Sequence, residues 1–270
     1  MNDFETYILK LDVQEGLVSA PLDTANRASF FGDGVFETMI FTGGKIRFMA
    51  EHAARLEEGL HTLKIQASPL SIPAIEAYLR EHFSAKQNLR VRWNVYRSGL
   101  GKYTPNQNAA ENLLIIQPME APAAIKKNAY VSRELSVPTT VWSHCKTLNA
   151  LTYVMANIER KELGMDEVIL LSDKGFVAEA GTANIFWRKD NTYYTPSLAC
   201  NCIAGVGRRK IIEQLQRKGL PLVEGQFGLE EVLEAEQVFT SNVTGVVYIA
   251  QLEGKNFCTD PIPQVTEIFK

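Results

Sequence analysis

The sequence predicts a mixed α/β protein of the α+β kind, built in two parts, and three observations carry that prediction. In each half, runs with apolar residues at alternate positions precede runs with apolar residues three and four apart, the patterns of strands and of helices. Between the halves, Pro118-Met119-Glu120-Ala121-Pro122-Ala123-Ala124 combines two prolines with small residues, which favours an extended connection. A chain of 270 residues, 46% hydrophobic and 22% charged, can also bury one large core or two modest ones. The expected division is an N-terminal domain over 1–117, a linker over 118–125 and a larger C-terminal domain over 126–270 that carries Lys146.

Taken in order, Tyr7–Leu11 and Val35–Phe41 read as strands, and Glu51–Ile65, with Ala53, Leu56, Leu60 and Leu63 on one stripe, reads as a helix. Ile72–His82 is a second helix, and Leu89–Tyr96 and Leu113–Ile116 are strands. Past the linker, Leu148, Leu151, Met155 and Ile158 mark one apolar helix face. Glu167–Leu171 and Phe176–Glu179 form a hairpin around Asp173-Lys174-Gly175, Ala183–Trp187 continues that sheet, and helix Arg208–Lys218 follows a glycine-containing turn.

Composition excludes several function classes. A net charge of −3 and scattered Lys and Arg give no footprint for nucleic acid. Met1-Asn2-Asp3-Phe4-Glu5 has neither a basic start nor an apolar core, and no run of eighteen apolar residues occurs, so neither a membrane nor export is expected, and the cytoplasm is. Cys145, Cys200, Cys202 and Cys258 fit no zinc or redox spacing and are expected as free thiols; the four histidines likewise show no metal spacing. Gly32-Asp33-Gly34 lacks the third glycine and the following helix of a dinucleotide loop.

Three features carry chemistry. Lys146, in Trp142-Ser143-His144-Cys145-Lys146-Thr147-Leu148-Asn149, stands among uncharged residues where an extended run meets an apolar-faced helix, a place where partial desolvation lowers an amine's pKa. Glu179 lies in Val177-Ala178-Glu179-Ala180-Gly181-Thr182, where small neighbours let a planar ligand approach the backbone. Ala204-Gly205-Val206-Gly207-Arg208 runs straight into a helix, whose first N–H groups and dipole suit a phosphate. Each alone is more often an ordinary surface or turn residue. Together they meet the needs of pyridoxal 5'-phosphate: a lysine to bond it, an acid at its ring nitrogen and donors for its phosphate.

In order along the chain, Phe31-Gly32-Asp33-Gly34-Val35-Phe36-Glu37-Thr38, Glu51-His52-Ala53-Ala54-Arg55-Leu56, Lys146 with Asn149, Asp166-Glu167, Glu179 with Asn184-Ile185-Phe186, and Gly205-Val206 before Arg208 resemble the motifs of class IV aminotransferases, the fold type IV pyridoxal-phosphate enzymes. The resemblance spans residues 27 to 250. It implies a D-amino acid aminotransferase-like fold of two α/β domains, the cofactor in the cleft between them, and a homodimer. It also implies that Arg55, Val206, Gly207, Ser241 and Asn242 hold the phosphate, and that Asn149 joins Lys146 and Glu179 at the cofactor. Gly207 and Asn242 depart from threonines common in the family, which removes a hydroxyl contact.

Within the family, the short chain, the lack of a tyrosine soon after Lys146, and Asn184-Ile185-Phe186-Trp187-Arg188-Lys189 resemble the aminodeoxychorismate lyases, which release pyruvate and form p-aminobenzoate for folate synthesis. Arg97-Ser98-Gly99-Leu100-Gly101-Lys102-Tyr103 resembles their arginine and glycine-rich loop, which implies substrate contacts at Arg97 and Tyr103. Thr38 is the expected proton donor to the departing pyruvate enol. The alternatives are a branched-chain or D-amino acid transaminase and a non-catalytic relative that only binds the cofactor.

Overall fold

The computed structural model describes residues 7–12, 14–19 and 26–269, so the N-terminal run Met1–Glu5 lies outside the described residues. The chain divides into two compact units. The first runs to Glu120 and takes in Cys145–Asn149; the second comprises Ala121–His144 and the chain from Ala150 onward.

The first unit holds β1 (Tyr7–Asp12), β2 (Gly16–Ser19), α1 (Arg27–Phe31), β3 (Gly34–Thr42), β4 (Lys45–Ile46), α2 (Met49–Thr62), α3 (Ile72–His82), β5 (Leu89–Arg97) and β6 (Ala110–Pro118). Its sheet has the order β2-β1-β6-β5-β3-β4. Alternation sorts the long strands into two faces. Val35, Met39 and Phe41 of β3, Val91, Trp93 and Val95 of β5, and Leu114 and Ile116 of β6 form a core with Leu56 and Leu60 of α2 and Ile75 and Leu79 of α3. Phe36 and Thr38, opposite Asn94 and Arg92 in register, belong to the other face. Helix α3 starts where Ser71 accepts a hydrogen bond from the Ala74 N–H, with Pro73 in its first turn. The helix expected to reach Ile65 stops at Thr62, because Lys64 turns left-handed (φ 57°) and returns Ile65 N–H to the Leu60 carbonyl.

Lys146 was expected in the C-terminal domain, yet its segment packs with the first unit. The edge of β3 near its start is open, since β4 pairs only at its end. The chain fills it: Phe36 N–H donates to the Lys146 carbonyl and Leu148 N–H to that of Gly34, both at 2.9 Å. Unpaired strand edges attract such additions.

The second unit holds β7 (Ile125–Lys126), β8 (Ala129–Val137), α4 (Leu151–Glu162), β9 (Glu167–Ser172), β10 (Val177–Ala180), β11 (Asn184–Lys189), β12 (Thr192–Pro196), α5 (Val206–Arg217), β13 (Leu222–Gly225), α6 (Leu229–Leu233), β14 (Gln237–Asn242), β15 (Gly245–Ile249), β16 (Gln251–Leu252), β17 (Lys255–Asn256) and α7 (Pro263–Thr266). The strands make two sheets, β10-β9-β8-β16-β17 and β13-β12-β11-β14-β15-β7. A core containing Val131, Ile169 and Val177 from the first and Ile185, Trp187, Val238 and Ile249 from the second joins them. The expected hairpin is present as β9 and β10, but Ala183–Trp187 does not continue it. Gly181 N–H is taken by the Val168 carbonyl, and the chain then crosses to the other sheet, where β11 pairs with β12 and β14.

Helix α4 carries the expected apolar stripe at Leu151, Met155 and Ile158, while Leu148 precedes the helix. The apolar positions Leu151, Met155 and Ile158 are 65%, 44% and 43% exposed, while the buried side carries Ala156 with Tyr153 packed beside it. Spacing identifies an apolar stripe but not its cover. No helix is long and apolar enough to cross a membrane among the described residues.

Candidate active site

Each unit carries one cluster of the expected chemistry. In the first, the Lys146 ammonium lies 4.4 Å from the centre of the Phe36 ring, and the Arg92 guanidinium lies 3.8 Å from the same centre. Both cations use the negative face of one aromatic ring. The backbone pairing to β3 sets Lys146 there. Thr38 stands two residues beyond Phe36 on the same face and directly opposite Arg92. Arg92 donates its Nε–H to Asn94 at 2.8 Å, while its two terminal nitrogens have no acceptor among the described residues. Burial, then the neighbouring charge of Arg90, lowers its pKa to about 10. A desolvated guanidinium without a neighbouring acid is a receiving site for a carboxylate.

On the core side of β3, Glu37 is 1% exposed and takes a fork from Arg55, Nε to Oε1 at 2.8 Å and Nη2 to Oε2 at 2.5 Å. His52 Nδ1 lies 2.6 Å from the same carboxylate. Burial alone would raise the pKa of Glu37, but the Arg55 charge and hydrogen bonds, aided by His52, hold it at about 2. Arg55 thus commits its Nε and Nη2 to Glu37.

Arg97 is a further correction. It is 8% exposed and its donors are taken by Asp33, the Leu63 and Lys64 carbonyls and Asn108, so it ties β5 to the end of α2 instead of facing a substrate. Arg27, not Arg97, holds the glycine-rich loop, through the Leu100 and Lys102 carbonyls. Tyr103, at its tip, is 89% exposed and touches Phe31 with ring centres 5.8 Å apart. Asn149 packs against Gly32, where an added Cβ would stand 3.0 Å from the Asn149 backbone.

In the second unit, Glu179 is 3% exposed. A register shift between Val177 and Glu179 marks a bulge in β10, a common device for re-aiming a side chain beside a site. Tyr153 O–H donates to Oε1 at 2.6 Å and Ile203 N–H to Oε2 at 3.2 Å. Asn201, left-handed at φ 69°, anchors the preceding turn by donating to the Val137 carbonyl and Asp173. Buried Cys202 has its thiol pushed up to about 12 by burial and the nearby Glu179 charge, so it stays neutral. Among the described residues, no group of His, Cys, Asp and Glu is arranged to hold a metal.

The same turn leads into α5, whose N-cap, Gly205, offers no side-chain acceptor. The first N–H groups of a helix have no partner within it. Asn184 fixes the approach: it donates to the Ile203 carbonyl at 2.8 Å, and its Oδ1 would lie 1.9 Å from a Cβ at position 205. At position 207 a Cβ would meet the Asn242 carbonyl at 2.6 Å and Ser241 Oγ at 3.0 Å. Glycine, rather than the family's common threonine, is therefore what this backbone admits. Ser241 Oγ is buried without a hydrogen-bond partner among the described residues, an orphan that costs free energy unless a ligand fills it. Asn242 is corrected in detail: its Oδ1 accepts from Thr244 N–H and O–H at 2.9 and 2.6 Å, so its side chain builds the turn.

The sequence profile described as amino-transferase class IV matches residues 34–252. The chain belongs to the class IV aminotransferase family. It is 28% identical over 248 residues to the aminodeoxychorismate lyase of Bacillus subtilis (strain 168), covering 88% of this chain and 84% of that one. It is 27% identical over 261 residues to a putative branched-chain-amino-acid aminotransferase of Methanocaldococcus jannaschii, covering 93% and 89%. The branched-chain aminotransferase structure from Thermoproteus uzoniensis superposes with a TM-score of 0.85 at 21% identity over 98% of this chain and 92% of that one, which shows the fold.

Class IV members are pyridoxal-phosphate-dependent enzymes, and so is this protein. Its residues fit the group. The orphaned Ser241 hydroxyl and the open first turn of α5 suit a phosphate dianion, and the buried, hydrogen-bonded Glu179 suits a protonated pyridine nitrogen. Sequence reasoning missed Arg92 and Tyr153. The first had a visible signal, the charges Arg90 and Arg92 at alternate positions of the strand Leu89-Arg90-Val91-Arg92-Trp93. The second had none beyond helical spacing.

Proposed function

We propose that the protein is a 4-amino-4-deoxychorismate lyase, splitting its substrate into pyruvate and p-aminobenzoate. The observation that carries this reading is the pairing of Thr38 and Arg92 across β3 and β5 on the face that also bears Lys146. Both products are carboxylic acids, so the substrate brings two carboxylates, and Arg92 supplies a guanidinium with unused donors for one of them. When bound, the cofactor supplies an electron sink for the carbon that bears the amino group. Lys146 Nζ takes the proton from that carbon. Thr38 Oγ1 offers a proton to the enol that departs as the C–O bond breaks and the ring becomes aromatic. Glu179 keeps the ring nitrogen protonated, and Ser241 with the N–H groups of Val206 and Gly207 anchors the phosphate. The Bacillus subtilis likeness supports the same reading.

Purified protein supplied with aminodeoxychorismate should release p-aminobenzoate and pyruvate in equal amounts. Failure to form p-aminobenzoate, alongside amino transfer from branched-chain or D-amino acids to 2-oxoglutarate, would overturn the lyase in favour of a transaminase. Lys146→Ala should abolish the visible absorbance of the lysine-bound cofactor. We also propose a cytoplasmic homodimer, supported by the outward apolar residues of α4 together with Val141 and Trp142; a monomeric mass in sedimentation would count against it.

A further inference from the structure

We infer that Tyr153 is a positioning residue whose hydroxyl fixes both the orientation and the charge of the Glu179 carboxylate. The inference rests on the reading that Glu179 serves the pyridine nitrogen. A carboxylate 3% exposed is stable as an anion only where donors replace water. Here one oxygen takes the phenol at 2.6 Å and the other takes the Ile203 N–H at 3.2 Å. The shorter contact is the stronger of the two. Facing an anionic carboxylate the phenol can only donate, and it keeps its proton, for burial and the adjacent Glu179 charge push its pKa far above the usual range.

Geometry makes the arrangement specific. Tyr153 is partly buried and packs, as do Leu135, Met165 and Phe176, against a core cluster that includes Ala156 and Val168. Its ring is therefore fixed by apolar contacts, and the hydroxyl is delivered to one place. Asn157, one turn later on α4, donates to the Tyr153 carbonyl at 2.8 Å and to the Gly181 carbonyl at 3.2 Å. That ties the helix to the turn that follows Glu179. The donor and the strand end it serves are held in common register, as an oriented charge requires. A carboxylate pinned at one oxygen by a neutral donor cannot rotate freely, and its anionic form is favoured over its protonated form.

Tyr153→Phe removes the hydroxyl while keeping the ring. With glutamate labelled at 13Cδ and the Glu179 signal assigned through Glu179→Gln, the carboxyl of apoprotein Tyr153→Phe should titrate at least about one pH unit higher than wild type, a tenfold change in proton affinity. The 15N signal of ring-labelled cofactor should move towards that of neutral pyridine, and cofactor affinity should fall about tenfold. Incorporating 3-fluorotyrosine at position 153 makes the phenol a stronger donor and should move the carboxyl titration the opposite way, which secures the test if the phenylalanine variant fails to fold. A purely structural tyrosine would lower the melting temperature without moving either signal. Unchanged carboxyl titration and 15N shift in both variants would overturn the inference. If Glu179→Gln itself leaves the 15N shift unchanged, the cofactor reading of Glu179 fails, and the role inferred for Tyr153 fails with it.

Discussion

Replacing Gly207 by alanine sets two physical effects against each other with opposite signs. Gly207 is the second residue of α5, and in a helix alanine is preferred to glycine by about 1 kcal/mol. Propensity alone therefore predicts a gain in stability. The surroundings predict a loss: the new Cβ would stand 2.6 Å from the Asn242 carbonyl oxygen and 3.0 Å from Ser241 Oγ. The first neighbour is backbone in β14 and cannot swing aside, so the first turn of α5 must shift by several tenths of an ångström. Overpacking of that kind costs about 1–3 kcal/mol, which outweighs the propensity term. The shift also moves the Val206 and Gly207 N–H groups relative to Ser241, so the affinity for pyridoxal phosphate should fall at least about tenfold, equivalent to roughly 1.4 kcal/mol. Urea unfolding of the apoprotein measures the first effect, and fluorescence titration with pyridoxal phosphate the second. A variant as stable as wild type or more so, binding with unchanged affinity, would refute the close approach and with it the phosphate cradle.

Glu37 predicts a pH dependence of stability. Its pKa is held at about 2 against an ordinary 4.5, so its contribution is fully present above the unfolded value and is lost as pH falls through about 2. At about 1.4 kcal/mol per pH unit this amounts to something on the order of 3 kcal/mol. Glu37→Gln should accordingly be less stable than wild type near neutral pH, and the difference should vanish towards pH 2 in urea titrations. Arg92→Met should raise KM for the acidic substrate at least about tenfold and leave cofactor absorbance intact, the loss expected for one charge-assisted hydrogen bond; an unchanged KM would remove Arg92 from the site. Thr38→Val should lower kcat by about a hundredfold or more without changing cofactor affinity, read by p-aminobenzoate formation; undiminished turnover would leave Thr38 a sheet residue only.

Much of this protein was legible without coordinates. Alternation in Val35–Phe41 and Leu89–Tyr96 and the helical stripe of Glu51–Ile65 announce the first unit, because local periodicity reports which side of an element meets the core. Lys146, Glu179 and the Gly205-Val206-Gly207 turn announce the cofactor, because their chemistry is recognisable from residue type and order. Tertiary structure decided the rest. Whether Arg97 or Arg92 has donors to spare depends on partners distant in sequence: Asp33 and the Leu63 and Lys64 carbonyls claim the first, while the second, lying over the Phe36 ring, donates among the described residues only to Asn94. That Lys146 joins the first unit depends on an open strand edge more than a hundred residues earlier. The outward turn of Leu151, Met155 and Ile158, the glycine at 207 and the phenol on Glu179 have the same origin. Each is fixed by what packs against the residue, and a single chain read in order carries periodicity and chemistry but not neighbours.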